Sequence, residues 1–271
     1  MVKGHKIDKK LFADPPAEYR GVPFWAWNGK LKKEEILRQI HIFKEMGMGG
    51  FFMHSRAGLQ TEYLGDEWMA MIRLCAEEAA KLGMKAYLYD EDRWPSGTAG
   101  GLVTQNPRFR EKYFTAETIE RENFNLLNFG QEYIAAFAVK LIEKEEEALA
   151  DYFPILYADQ IPDGYTALVF TAHERPKEGF FNGSTDVDRL NREATDEFIR
   201  ITHKKYKAAV GDMFGKEILG IFEDEPHRGF IFGGPDSDRM PYTYTLFETF
   251  EKYAGYDLKG RLPELFYKKT G

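Results

Sequence analysis

The first 112 residues alternate short apolar runs with longer segments in which apolar residues recur at helical spacing. Runs at 22–27, 50–54 and 85–89 predict three strands, of which the second is buried on both faces because its apolar run does not alternate. Segments at 33–46 and 66–83 predict two helices, the second capped by Asp66. Strands alternating with helices are typical of a parallel sheet joined by right-handed crossovers.

From residue 113 the pattern changes. Apolar runs at 133–141 and 165–170 predict strands without intervening helices, and the charged stretch 143–147 predicts a solvated connection. A helix over 192–211 capped by Asn191, a strand over 218–222 and a helix over 242–253 then resume the first pattern. We therefore predict three parts: the first half of a partial barrel (1–112), a β-rich insertion (113–173) and a continuation of the barrel (174–271).

The predicted fold class depends on a motif that is missing after the first strand. No glycine-rich phosphate-binding sequence follows the first strand, which disfavours a nucleotide-binding open sheet and favours an α/β barrel. The pattern supplies about four barrel strands, whereas a closed TIM barrel has eight. The predicted fold is therefore α/β and TIM-barrel-like but incomplete, with about half the barrel, and we expect the sequence to be a fragment of a longer enzyme.

Composition and charge limit the classes of binding partner that the sequence predicts. The 271 residues carry a net charge of -7, and their Lys and Arg residues are scattered, so no nucleic-acid partner is predicted. The sequence has no apolar run of about 18 residues and no secretory signal at its start, which predicts a cytoplasmic protein without a membrane partner. Its one cysteine, Cys75, cannot form an internal disulfide. The oligomeric state is left open.

Polar and aromatic residues follow each of the four barrel strands. The C-terminal ends of barrel strands meet on one face, which holds the active site in enzymes of this fold. The residues at these ends are Trp27 and Asn28; His54 and Arg56; Asp90, Glu91, Asp92, Arg93 and Trp94; and Glu223, Asp224, Glu225 and His227.

Two acidic clusters at these ends suit glycosidic cleavage. One carboxyl group protonates the leaving oxygen and a second activates water or attacks the sugar, and neighbouring negative charges raise a pKa so that one group stays protonated. We predict Glu225 and Glu91 as the catalytic pair, although any single acid here could equally cap a helix or pair with an arginine. The predicted substrate-binding residues are Trp27, Asn28, His54, Arg56, Asp90, Asp92, Arg93, Trp94, Asp224 and His227.

Two other functions stay open. A metal-dependent hydrolase would use His54, Asp90, Asp92 and His227, but such sites usually cluster several histidines and the first strand has none, so no metal site is assigned. A non-catalytic carbohydrate-binding fragment is the other alternative. Asp186 and Asp188 could line a pocket or hold calcium, but the rest of an EF-hand loop is missing.

Four motifs resemble a known family. They are Phe24-Trp-Ala-Trp-Asn-Gly29, Gly49-Gly-Phe-Phe-Met-His-Ser-Arg56, Tyr89-Asp-Glu-Asp-Arg-Trp-Pro-Ser-Gly97 and Gly220-Ile-Phe-Glu-Asp-Glu-Pro226. They resemble the barrel domain of the α-L-rhamnosidase-like glycoside hydrolases (family 106 and its uncharacterised relatives) over about residues 20–270. The resemblance implies a barrel with appended β-domains in a longer chain, and inversion by paired glutamates on a carbohydrate such as a rhamnoside. A calcium ion near the sugar is implied by this resemblance alone, and no other cofactor is predicted. The second half of the expected barrel is missing from this sequence.

Overall fold

The strand-and-helix alternation of the N-terminal region is confirmed in a computed structural model of the protein, which describes residues 8–142, 148–227 and 239–270. A short helix, α1 (Lys9–Ala13), precedes the alternating elements. These are β1 (Phe24–Trp27), α2 (Lys33–Glu45), β2 (Gly50–Ser55), α3 (Asp66–Lys81) and β3 (Lys85–Tyr89).

The rest of the chain is richer in strands, three of which are predicted from its apolar runs. Its elements are β4 (Lys112–Ile119), β5 (Tyr133–Ile142), β6 (Ala148–Pro154), β7 (Thr166–Glu174), α4 (Arg192–Ile201), α5 (His203–Val210), β8 (Ile218–Phe222), β9 (Arg239–Tyr242), α6 (Leu246–Ala254) and β10 (Lys268–Lys269). Contacts divide the chain into two units, residues 1–103 with 195–226 and residues 104–194 with 227–271. Residues 174–271, predicted to continue the barrel, are thus shared between the two units.

The first unit contains an all-parallel sheet with the strand order β1-β2-β3-β8. Trp27 lies opposite Ser55, and Tyr89 lies opposite Phe222, so the carboxyl ends of neighbouring strands lie at one edge. The helices between the strands provide the crossovers that parallel pairing requires. This mixed α/β fold is compatible with a partial barrel.

Two tryptophans of β1 anchor the packing of helices on this sheet. Trp25 packs edge-on against Phe43 of α2, with 5.4 Å between ring centroids, and Trp27 packs against Trp68 of α3 at 4.9 Å. All three tryptophans are buried. Because side chains alternate across a strand, these contacts leave Phe24 and Ala26 on the opposite face.

Two details of the predicted helices are corrected. Asp66 is the first residue of α3 and does not cap it, since the N-cap is Gly65 without a side-chain hydrogen bond. The single helix predicted over 192–211 is two helices separated at Thr202, whose hydroxyl donates to the Phe198 carbonyl at 2.7 Å. The predicted N-cap Asn191 is confirmed, because its Oδ1 accepts from the Glu193 amide at 3.0 Å.

The second unit is built on a six-stranded sheet with the order β10-β6-β5-β7-β4-β9. Its pairs are antiparallel except for the short β10–β6 pair. One apolar cluster contains Phe114, Phe137 and Phe170, and Phe247 of α6 packs against it. The helix predicted over 242–253 therefore packs on this sheet and does not extend the parallel one.

Of the two aspartates considered as calcium ligands, Asp186 is paired with arginines instead. Asp186 is fully buried and accepts from Arg189 at 2.9 Å, and Arg175 lies 3.8 Å away while donating to Glu111 at 2.8 Å. The geometry favours a structural role for Asp186. The solvated connection predicted at 143–147 lies outside the described residues. Within the described ranges, no helix has the length and apolar character needed to cross a membrane.

Candidate functional site

The residues predicted to form the site follow strands that end side by side. We call the residues that follow these strands the carboxyl edge; within the first unit they are Asn28, Arg56, Asp90 to Trp94 and Glu223 to Glu225, of which Glu223 was not predicted as a site residue. The segments after β1 and β2 are joined by backbone bonds, from Arg56 N to Trp27 O at 3.1 Å and from Gln60 N to Gly29 O at 3.1 Å. His227 is half-buried and belongs to the second unit.

Glu91 lies inside the loop that follows β3. Its side chain is fully buried, and its two carboxylate oxygens accept hydrogen bonds from five backbone amides. The donors are Asp92, Gly97, Thr98, Ala99 and Gly100, at 2.5 to 3.0 Å. An anion enclosed by successive backbone amides is a typical means of fixing an irregular loop. The geometry therefore favours a loop-building role for Glu91 over the predicted catalytic one.

The loop around Glu91 needs unusual backbone conformations. Ala99, Gly100 and Gly101 have φ angles of 51°, 66° and 88°, in the left-handed region that glycine adopts at little cost. Burial raises the pKa of Glu91 to about 7, while the hydrogen bonds from the surrounding amides act to lower it. Because both oxygens are occupied, ionisation of Glu91 strengthens the bonds that hold the loop.

Asp90 is buried against α5. Its Oδ1 accepts from the Ser96 hydroxyl at 2.6 Å, and its Oδ2 lies 3.6 Å from His203 Nε2 without a hydrogen-bond partner in the described part of the chain. Burial raises the pKa of Asp90 to about 7 against the opposing bond from Ser96, and the charges of Glu91 and Glu223 raise it further. Full burial gives Asp90 no direct contact with a substrate at this edge.

Asp92 and its neighbours divide between fixed and exposed positions. Asp92 is buried; its Oδ1 accepts from the Ser55 hydroxyl at 2.5 Å, and its Oδ2 lies 3.1 Å from Arg93 Nη2. The bond from Ser55 ties the end of β2 to the loop after β3. Trp94 is 36% exposed, whereas Trp27, also predicted to bind sugar, is only 2% exposed. The geometry leaves Trp94 partly exposed at the surface and favours a core role for Trp27.

His54, Tyr89 and Asp224 form a contiguous group on the face of the sheet opposite the helices. The His54 and Tyr89 rings are 3.7 Å apart, and the Tyr89 hydroxyl donates to Asp224 Oδ2 at 2.5 Å. Burial, followed by the positive charge of Arg56, lowers the pKa of His54 to about 4. His54 is therefore neutral near pH 7 and can donate or accept a hydrogen bond without bringing a charge.

Glu225 has the most open carboxylate of those predicted to react. It is exposed, and no hydrogen bond or ion pair joins its side chain to any other described residue. Its φ angle is 43°, a left-handed conformation that costs a non-glycine residue of order 1–3 kcal/mol. Such strained residues cluster at functional sites. Asp224, immediately before it, is half-buried, and Glu223 is exposed.

Aromatic rings line the same face as His54. Phe24 is 50% exposed and stacks on Phe52 at 5.0 Å, and Phe52 stacks on Tyr87 at 4.7 Å. Tyr89 lies parallel to Phe222 with centroids 5.9 Å apart. Flat apolar surfaces beside polar groups are what the faces of sugar rings can pack against.

Three residues with a part in this geometry were not identified from the sequence. Ser96 bonds to the segment after β8, Tyr89 bonds to Asp224, and His203 approaches Asp90. Ser96 stands in the Trp-Pro-Ser-Gly motif, where a turn was the only indication, and the other two lie within predicted secondary structure. Among the residues in the described ranges, no group of three His, Cys, Asp or Glu side chains is arranged to hold a metal ion.

Comparisons with known proteins identify a shared fold. No protein-family model matches the chain, and no curated protein matches its sequence. Similar solved structures include the rhamnosidase from Novosphingobium sp. PP1Y, with a TM-score of 0.57 over 97% of this chain and 16% sequence identity. The present chain spans 43% of that rhamnosidase. At this identity the likeness shows the fold alone, which this chain shares with part of that rhamnosidase.

Proposed function

We propose that this chain contributes a glycoside hydrolase site at the carboxyl edge, within a partial TIM barrel like that of the family 106 enzymes. The observation that carries the proposal is the group formed by Asp224, Tyr89 and His54 beside the exposed Glu225. Two acidic groups at the ends of barrel strands are what glycosidic cleavage requires. The fold shared with a rhamnosidase supports a carbohydrate as the substrate class.

Glu225 keeps the catalytic role predicted for it, because its carboxylate is exposed and has no competing partner among the described residues. For the second carboxyl group we propose Asp224 in place of Glu91. Asp224 is half-buried and held by Tyr89, whereas both oxygens of Glu91 are occupied by loop amides. Arg56 and Trp94 remain proposed substrate contacts, whereas His54, which is only 3% exposed, is proposed to support Tyr89 and through it Asp224.

Turnover of an aryl-glycoside panel by the 271-residue chain tests this function. We expect measurable hydrolysis, with kcat lowered about 10²–10⁴-fold in Glu225→Gln and in Asp224→Asn. Glu223→Gln is the matched control, since Glu223 is an exposed acid in the same segment without an assigned role. Near-full activity in both Glu225→Gln and Asp224→Asn would remove these acids from the mechanism.

A non-catalytic carbohydrate-binding role is the second candidate, and the exposed aromatic surface of Phe24 and Trp94 favours it. Calorimetry with the same sugars distinguishes the two. Saccharide binding without turnover in the wild-type protein would select this second role and exclude hydrolysis by this chain.

A further inference from the structure

Ser96 joins the segments that follow β3 and β8. Its amide donates to the Asp224 carbonyl at 2.8 Å, and the Asp224 amide donates back to the Ser96 hydroxyl at 2.8 Å. The side chain of Ser96 is buried. The regular pairing of β3 with β8 ends at Tyr89 and Phe222, so Ser96 extends the connection between the two chains beyond the end of the sheet.

Asp90 sets the direction of the Ser96 hydroxyl. A hydroxyl has one hydrogen and two lone pairs. Because Ser96 donates its hydrogen to Asp90 Oδ1 at 2.6 Å, a lone pair is left to accept from the Asp224 amide. The charged and titratable groups around Asp90 are Glu91 and Glu223, with His203 and Tyr206 on α5 and Tyr63 before α3.

These bonds hold Asp224 at three points. Its amide and carbonyl bond to Ser96, and its carboxylate accepts from Tyr89. Glu225 follows directly, in its left-handed conformation, with no side-chain partner among the described residues. The position of the Glu225 carboxylate therefore depends on the backbone that Ser96 holds.

We propose that Ser96, oriented by Asp90, is a positioning residue that holds the segment after β8 so that Asp224 and Glu225 present their carboxylates at the carboxyl edge. Its catalytic consequence rests on the proposed glycosidase function. Misplacing a reacting group by about 1 Å can cost on the order of 100-fold in rate. Ser96 itself is buried and is not proposed to contact substrate.

Hydrogen–deuterium exchange of the intact chain tests this role without a substrate. We expect Ser96→Ala to speed exchange at the Asp224 amide about fivefold, the factor expected for one lost hydrogen bond. Ser96→Thr, which keeps the hydroxyl, should restore much of the protection. Thr98→Val is the matched control, because the Thr98 hydroxyl accepts only from the Gly101 amide, at 3.4 Å, among the described residues.

Kinetics on any glycoside that the wild type cleaves provide the second readout. We expect Ser96→Ala to lower kcat at least about tenfold with little change in KM, since positioning of the reacting groups is lost rather than sugar binding.

Unchanged exchange at Asp224 in Ser96→Ala, or equal acceleration in Thr98→Val, would overturn the proposal. If the chain cleaves no glycoside, exchange alone still decides whether Ser96 holds this segment. If Ser96→Ala does not fold, Ser96→Cys, which keeps the volume and weakens the bonds, takes its place.

Discussion

At the scale of single residues, neighbouring acids have different roles according to where their oxygens lie. Glu91 points into its own loop, and Asp90 faces α5 and Ser96. Asp224 is half-buried and accepts from Tyr89, whereas Glu225 lies toward solvent. The alternation of side chains along an extended chain predicts opposite directions for Asp90 and Glu91 but not the amides that surround Glu91. The number of acids in a cluster therefore says little about which of them can react.

The raised pKa of Asp90 has a consequence for stability. An aspartate in an unfolded chain titrates near 3.9, whereas burial raises the pKa of Asp90 to about 7. The folded state thus holds a proton that the unfolded state loses, and the contribution of Asp90, full below about pH 4, is lost as the pH rises to about 7.

We expect Asp90→Asn to remove this pH dependence, because an amide does not titrate. Between pH 5 and 7 the free energy of unfolding of the wild type should fall relative to that of Asp90→Asn by up to about 1.4 kcal/mol per pH unit. Urea unfolding of both proteins across this range measures the difference, in which the titration of His54 cancels and that of Glu91 enters only through its charge coupling to Asp90. Parallel pH curves would contradict the raised pKa.

At the scale of elements, the loop after β3 depends on the carboxylate at its centre. In Glu91→Gln, one of the two oxygens becomes an NH₂ group that faces backbone donors, which leaves buried amides without acceptors. We expect the free energy of unfolding to fall by about 3 kcal/mol at pH 5, measured by urea unfolding. This pH is chosen because burial raises the pKa of Glu91 to about 7, so the stability that depends on its protonation is lost as the pH rises toward 7. The control Glu223→Gln, an exposed acid, should stay within about 0.5 kcal/mol of the wild type. Equal stability of Glu91→Gln and the wild type would mean that Glu91 does not build the loop.

The elements with local sequence patterns were predicted well. Strands β1, β2, β3 and β8 are continuous apolar runs, and their helices have clear spacing, so their existence and approximate bounds follow from the sequence. The break at Thr202 was missed because it depends on one side-chain bond to Phe198. The placement of α6 was missed because a helical pattern shows which face is apolar but not which sheet covers it.

The candidate site was predictable only as a location. Parallel strands bring their carboxyl ends together, so placing the acids at one edge follows from the strand order. The roles of individual acids depend on contacts between distant residues. Ser96 and Asp224 are 128 positions apart in the sequence, so no local motif contains both residues and nothing in the sequence indicates that they are bonded.

At the scale of the whole molecule, the chain contains two sheets that differ in architecture. An all-parallel sheet of four strands supplies the carboxyl edge, and a mainly antiparallel sheet of six strands forms the second unit. The chain corresponds to 43% of the rhamnosidase with which it shares its fold. The substrate and the activity proposed here therefore concern the site on the first unit.

Chemical rescue of Glu225→Ala tests most directly whether its carboxylate takes part in bond cleavage. Removing the side chain leaves space in which a small anion such as azide can supply the missing base or nucleophile. On an aryl glycoside cleaved by the wild type, we expect Glu225→Ala to be nearly inactive and to regain turnover as azide is added. Glu91→Ala should show no such gain. Wild-type turnover by Glu225→Ala without azide would contradict a catalytic role for Glu225.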